Sequence, residues 1–420
     1  MVQPLPASCY RAPAWPAREC PAYNPPMRTS TDWRAVLAAA ACGVAVALNV
    51  GKVPIALPAL RAEFGLSLVA AGWLSSMINS LAVCTGLLFG LLGDRLGALR
   101  TCYAGIAASL LGGLLAIAAG GGSLLLLSRF LEGAGMIATV VSAPALLTAA
   151  AAPQDRRFAL GIWSSYLPAG VGLIMLLATL ALPLGGWRAL WWVALVALAA
   201  AALAVRRAEP AYALSAHAAN DEPIWPTARA ALARPAPWLL AFAMMCWTLQ
   251  HYALIIWLPT FLKEQRDLGL SAVALLSCAM VLANVPGNLI GGRLLQRGFA
   301  RSRLIVAANL FTGLCSLGIF LDGLPDLVRY ALCVLLSFAG GLIPASVLSA
   351  SAYLARTPRQ IGTLQGLFMQ VGNLGPFIGP PAIAALVAAS GLWRDALWVT
   401  GTAALGGVLL GLALYKSERR

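Results

Sequence analysis

Apolar stretches of about 20 residues recur twelve times along this chain, at about 35–58, 69–92, 98–119, 123–149, 158–182, 188–205, 238–260, 271–292, 303–321, 327–352, 361–388 and 395–415. At a rise of about 1.5 Å per residue, each is long enough to cross a hydrocarbon layer about 30 Å thick. Lipid offers no partner to a backbone amide, so each stretch must satisfy its own hydrogen bonds as a helix. Only 10% of the 420 residues are charged, whereas a soluble chain carries about 25% to cover its surface. The expected architecture is therefore an all-α integral membrane protein with twelve transmembrane helices. Pro54, Pro168, Pro286, Pro344 and Pro376 sit inside apolar runs, where a missing N–H predicts kinks.

The formal net charge is +14. With the N-terminus placed inside and sides alternating, 21 of the 29 Lys and Arg fall in cytoplasmic segments. Six fall outside (Arg61, Arg188, Lys263, Arg266, Arg329 and Arg394), and Lys52 and Arg129 lie within spans. This bias is the positive-inside rule; it predicts a multi-pass protein of a bacterial inner membrane with both termini cytoplasmic. The basic charge is thus a topology signal, and without a soluble basic domain no nucleic-acid partner is expected. The lipid bilayer is the expected surroundings, and one chain of this size suffices as a monomer.

Chemistry of other kinds finds little footing. Seven of the nine cysteines fall in or beside spans, and no Cys-x-x-Cys spacing occurs, so no metal site is expected. His217 lies in a loop and His251 alone in a span, with no His-Glu-x-x-His and no Gly-x-Ser-x-Gly. An enzyme is not expected, and no catalytic residue is assigned. No phosphate-binding loop of the Gly-x4-Gly-Lys-Ser/Thr type is present, which argues against direct ATP drive. No cofactor is expected beyond a proton gradient.

The chain divides into a disordered cytoplasmic tail (1–33), a six-span bundle (34–205), a cytoplasmic central loop (206–236), a second six-span bundle (237–416) and a short tail (417–420). The first tail carries seven prolines and no apolar run, and Met27 offers a second possible start. The central loop is long enough to tether two bundles, with a short surface helix over 226–234. The halves are related: Gly90, Gly97 and Arg100 precede Gly291, Gly298 and Arg301 by 201 residues. Trp187-Arg188 and Trp393-Arg394 open the sixth and twelfth spans. Such repeats are common in secondary transporters.

Charges inside a membrane are costly, by a few kcal/mol each, and so mark function. Only Lys52, Arg129 and Glu132 lie well inside spans, away from their ends. Lys52 sits about 9 Å from the expected outer end of its span. Lys52 and Arg129 either contact an anionic substrate, as a point charge and a fork, or serve structure. In that second reading Lys52 snorkels to the interface and Arg129 pairs with Glu132 at i,i+3. Glu132 either takes up and releases a proton during a cycle, driven by competing desolvation and ion pairing, or holds Arg129 permanently. Among uncharged residues at membrane depth, Gln250 and Tyr252 of the seventh span are the leading substrate contacts, ahead of His251. Asn49, Asn284, Gln365, Gln370 and Asn373 either bind ligand or tie helices together.

The turn Gly90-Leu-Leu-Gly-Asp-Arg-Leu-Gly-Ala-Leu-Arg100 resembles the Gly-x-x-x-Asp-Arg-x-Gly-x-x-Arg loop of the major facilitator superfamily. Gly90, Asp94, Arg95, Gly97 and Arg100 all match. In the second copy Leu295 and Gln296 replace the charged pair. The fourth-span pattern Arg-x-x-Gln-Gly-x-Gly is matched by Arg129, Gly133 and Gly135, with Glu132 for Gln. Trp257-Leu-Pro259 and Gly375-Pro376…Gly379-Pro380-Pro381 resemble the cyanate/nitroimidazole-transporter-like branch. The resemblance implies two six-helix bundles around a central cavity lined by the first and fourth helices. It also implies a conformational latch at Gly90, Asp94, Arg95, Gly97 and Arg100. The expected function is secondary active, proton-coupled transport of a small organic or inorganic anion, with Lys52, Arg129, Gln250, Tyr252, Gln370 and Asn373 on the substrate and Glu132 on the proton. The alternative is an exporter of amphipathic drugs, with a wide aromatic cavity and no need for Lys52.

Overall fold

The computed structural model describes residues 30–92, 97–212, 224–320 and 323–418, and their regular structure is helical throughout. Eleven helical segments, several of them interrupted, are long and apolar enough to cross a membrane. The longest, Tyr166–Tyr212, contains two spans, because Gly185 and Gly186 leave helical geometry (Gly186 φ 60°). That turn separates the fifth and sixth spans and brings the count to twelve.

The first span, Trp33–Phe64, shows why boundaries move. Asp32 caps its start by accepting from the Ala35 amide at 3.1 Å, and Gly65 ends it at φ 60°, the left-handed geometry that glycine adopts cheaply. Pro54 and Pro58 lie inside without interrupting it, so the helix runs six residues past the expected end. The sixth span likewise continues beyond Val205 to Tyr212. There the buried Tyr212 hydroxyl donates to the Ala35 carbonyl at 2.7 Å, docking the extension on the first helix. A surface helix follows at Ile224–Leu232, and the seventh span is Pro235–Glu264.

The other four prolines do break their helices, each three residues upstream. Helical runs part at Ser165, Ala283, Gly341 and Asn373, ahead of Pro168, Pro286, Pro344 and Pro376. The proline ring displaces the carbonyl one turn back and offers it no N–H, which is where the helix yields. The second span breaks without proline, through a 3-10 turn at Met77–Asn79. There the Asn79 amide donates to the Ser76 carbonyl at 3.3 Å.

Two six-helix bundles result. They meet where the first helix packs on the seventh, the second on the eleventh and the fifth on the eighth. Close approach is made at Gly72 against the backbone of Pro380 and Pro381, Gly86 against Gln370, and Gly172 against Leu282. At the end opposite the termini, Arg61 of the first helix pairs with Glu264 of the seventh at 2.5 Å, and Trp73 packs edge-on to Phe377 at 5.5 Å. Among the described residues, no comparable packing joins the fourth span to the tenth.

Glycine sets the helix spacing within the second bundle too. A Cβ on Gly287 would collide with the Phe338 carbonyl, whereas one on Gly292 would meet nothing within 4 Å. Gly287→Ala should therefore cost about 1–3 kcal/mol by overpacking. Its thermal midpoint in detergent should fall clearly, while Gly292→Ala stays at the wild-type value.

Candidate charge cluster and its surroundings

The three intramembrane charges converge. Lys52 Nζ lies 2.6 Å from Glu132 Oε1, and Arg129 Nη1 pairs with Glu132 Oε2. Lys52 also donates to Asn49 Oδ1 at 2.6 Å, and Arg129 Nη1 to the Asn49 carbonyl at 2.8 Å. Lys52 stands 4.5 Å from the centroid of the Trp191 ring, within range of a cation–π contact. Lys52, Glu132 and Asn49 are 0% exposed and Arg129 and Trp191 1%, so the cluster is closed to water in this conformation.

Each element contributes for a local reason. Asn49 and Lys52 are one turn apart on the first helix and so share a face. Arg129 and Glu132 stand in the same relation on Gly122–Ala150. Glu132 fits because the third span offers glycines there: a Cβ on Gly112 would come within 2.9 Å of its Cγ. Trp191 is brought in by the sixth span, propped by the edge-on Trp187 ring at 5.0 Å. Trp187 in turn donates to Glu63 Oε2 at 2.6 Å.

The Arg129–Glu132 contact is the i,i+3 pair considered from sequence, now shared with Lys52. Snorkelling is not what Lys52 does: the helix ends at Phe64, roughly 18 Å further along, and the ammonium is turned inward. The group between the two cations is Glu132 itself. Two cations and one carboxylate leave the cluster at +1. Its remaining donors exceed its acceptors. Arg129 Nε and Nη2, Asn49 Nδ2 and Trp191 Nε1 are buried and find no acceptor in the protein.

The uncharged candidates do not join this cluster. Gln250 is fully buried and turns into the second bundle, donating to the Cys246 carbonyl at 3.1 Å and reaching Asn309 Oδ1 at 3.4 Å. Tyr252 is buried on the same helix, 6% exposed. Gln370 accepts from the Leu87 amide at 2.9 Å and so ties the eleventh span to the second. Asn373 donates to the Met369 carbonyl at 2.7 Å and faces a space of about 20 Å³ between the second, fourth and eleventh spans, which Asn79 and Gly133 also line. His251 stacks on Trp247 at 4.7 Å and pairs with Ser337 Oγ at 2.9 Å; the Ser337 carbonyl accepts from Asn284 at 2.8 Å. Of the turn residues, Gly90 ends up in the helix Ser80–Leu92, and Gly97 takes φ 78° where the third span begins at Ala98. Arg100 is exposed on its first turn. Asp94 and Arg95 lie outside the described residues.

Sequence reasoning missed Trp191, Asn79 and the Arg61–Glu264 tie. Trp191 stands four residues after Trp187, one helical turn, a spacing that points both rings the same way. Glu264 follows Glu63 by 201 residues, the repeat offset. Yet Glu63 pairs with Arg188 of its own bundle at 2.9 Å, while Glu264 reaches across.

Twelve apolar helices in two bundles around a buried ionic cluster define a multi-pass membrane protein. The chain belongs to the Major Facilitator Superfamily, whose sequence profile matches residues 39–380 and 274–420. It is 25% identical over 389 residues to the "Probable sulfoacetate transporter SauU" of Cupriavidus necator, covering 86% of this chain and 88% of that protein. It is 26% identical over 377 residues to the 3-(3-hydroxy-phenyl)propionate transporter of Escherichia coli, covering 88% and 89%. The fold matches that of a bacterial homologue of the human lysosomal transporter Spinster, in a structure titled inward-facing and unoccupied. The TM-score is 0.74 at 16% identity, over 93% of this chain and 98% of that one. The chain is a transporter and not an enzyme.

Proposed function

We propose that this protein carries a small organic anion across a bacterial inner membrane together with a proton. The observation that supports this reading is the closed cluster of net charge +1, in which four buried donors lack acceptors. An acceptor-rich anionic group is what such a site calls for. Glu132 fills the position that a substrate carboxylate or sulfonate would take between Lys52 and Arg129. When Glu132 takes up a proton, its hold on both cations weakens and the substrate anion replaces it. The buried charge is +1 before and after, so each anion is matched by one proton. Asn373 and Gln370, on the facing bundle, are the proposed contacts for the rest of the substrate. Gln250 and Tyr252 support the seventh helix against it.

The sulfoacetate and hydroxyphenylpropionate relatives favour an organic acid over an inorganic ion. Cyanate, suggested by the branch resemblance, obeys the same charge logic. With both termini in the cytoplasm, the end closed by Arg61–Glu264 and by Gly72 on Pro380 is the outer one. The conformation is then inward-facing, and transport proceeds by rocking the bundles about the midplane. The Gly90–Arg100 turn acts in the opposite state, as a cytoplasmic latch.

Counterflow tests the reading. Proteoliposomes preloaded with sulfoacetate, 3-phenylpropionate or cyanate should accelerate entry of the matching labelled anion. Acceleration only by cationic amphipathic drugs would replace this function with drug export. The outer tie gives a second expected result. Arg61→Gln should favour the outward-open state by less than about 1 kcal/mol, because the pair is partly exposed. Labelling of a cysteine placed at Ala56 should then rise up to about fivefold, and the difference should shrink in high salt.

A further inference from the structure

Among the described residues, three groups meet the Lys52 ammonium, and the transport reading uses only two of them. Of its three N–H donors, Glu132 Oε1 takes one at 2.6 Å and Asn49 Oδ1 another at 2.6 Å. The third neighbour is the indole ring of Trp191, whose centroid lies 4.5 Å from Nζ.

Packing alone does not explain a tryptophan at this place. Trp191 is 1% exposed, and its indole N–H is buried without an acceptor. Buried tryptophans usually find a partner for that group, and leaving it bare is unfavourable. A leucine or phenylalanine would fill the same apolar space with no stranded donor. What tryptophan adds is the strongest cation–π face of the aromatic side chains, and such contacts gain strength when they are dry.

The ring is fixed as well as near. Trp187 meets it at 5.0 Å with the ring planes at 83°, and Trp187 donates to Glu63 Oε2 at 2.6 Å. Arg188 lies 4.3 Å from the Trp187 ring and pairs with the same carboxylate at 2.9 Å. A brace therefore runs from the buried Lys52 to the exposed Glu63. Lys52, Glu132 and Trp191 all belong to the first bundle, so rocking of the two bundles leaves their spacing alone.

The transport reading, on which this inference rests, gives the brace a task. When Glu132 takes up a proton, Lys52 loses its counter-charge in a site closed to water. Asn49 Oδ1 and the Trp191 face are then the described groups left to it. We infer that Trp191 is a positioning residue for anion binding: its ring holds the Lys52 ammonium in place between proton uptake and substrate entry. Its N–H, on the ring edge, remains a donor for the arriving anion.

Site-specific replacement of Trp191 by a monofluorinated and a trifluorinated tryptophan tests this on the full chain in proteoliposomes. The readout is the KM for counterflow of whichever of sulfoacetate, 3-phenylpropionate or cyanate the wild type carries. Fluorine draws electrons from the ring face and barely changes its size. KM should therefore rise stepwise, by about fivefold or more with the trifluorinated ring, while the thermal midpoint stays at the wild-type value. Fluorination makes the indole N–H a better donor, so a role through that edge alone would lower KM instead. Trp191→Phe, which keeps a ring face, should raise KM less than Trp191→Leu; the fluorinated series guards against a misfolded leucine variant. A KM that is flat or falls across the fluorinated series, or that is no lower in Trp191→Phe than in Trp191→Leu, would overturn this inference while leaving wild-type transport intact. Absence of wild-type counterflow with all three anions would overturn the transport reading and this inference with it.

Discussion

Glu132→Gln should abolish proton movement coupled to anion entry. The substitution keeps the shape of the side chain and removes its charge, raising the buried cluster from +1 to +2. Removing one partner from a buried ionic group costs about 3–5 kcal/mol, because the charges left behind are unpaired and dry. A lower thermal midpoint is therefore expected alongside the transport defect. The two effects separate in the double variant. Adding Lys52→Met returns the cluster to +1 and should recover most of the stability, because Arg129 keeps its bond to the Asn49 carbonyl. Coupling should stay absent, since nothing in the double variant takes up a proton. Restored stability with restored pH-driven uptake would assign Glu132 a purely structural role.

Lys52→Met by itself is expected to do the reverse, leaving the fold intact and the substrate unbound. Methionine matches the lysine stem in length and can lie against Trp191, while Arg129 and Glu132 remain a neutral pair. The site then has no surplus positive charge to offer an anion. Truncating one member of a buried charged contact typically costs about 2–5 kcal/mol in binding, so anion affinity should fall about 30-fold or more. Substrate-induced thermal stabilisation measures this directly, since it scales with the logarithm of ligand concentration over Kd. A drug exporter would tolerate the change. So would a protein in which Lys52 only ties the first helix to the fourth, and in that case the midpoint shift with substrate would match wild type.

Much of the architecture is legible in the residues, because lipid leaves few alternatives. Twelve apolar runs can only be helices, and of the five prolines expected to kink them, four mark real interruptions, whereas Pro144 and Pro259 lie inside unbroken helices. Pro54, the fifth, does not break its helix, which runs on to Phe64. The surrounding first span is buried over most of its length, so packing holds it continuous where the local rule predicts a break. The cluster of Lys52, Arg129 and Glu132 follows from the cost of charge in lipid. What cannot be read from one strand of letters is direction: which side of a helix faces its own bundle and which faces the other. Gln250 and Gln370 look alike in sequence, yet one turns to Asn309 inside its bundle and the other reaches the second span across the interface.

Proton flux is the measurement closest to the central claim. Purified protein in liposomes with an entrapped pH dye would be challenged with sulfoacetate, 3-phenylpropionate and benzoate, beside cyanate and cationic drugs. Symport carries a proton in with each anion, so the lumen should acidify when one of these acids is added, and the signal should vanish in Glu132→Gln and in Lys52→Met. Acidification that persists in Glu132→Gln, or anion uptake with no pH change, would contradict coupling through the buried cluster.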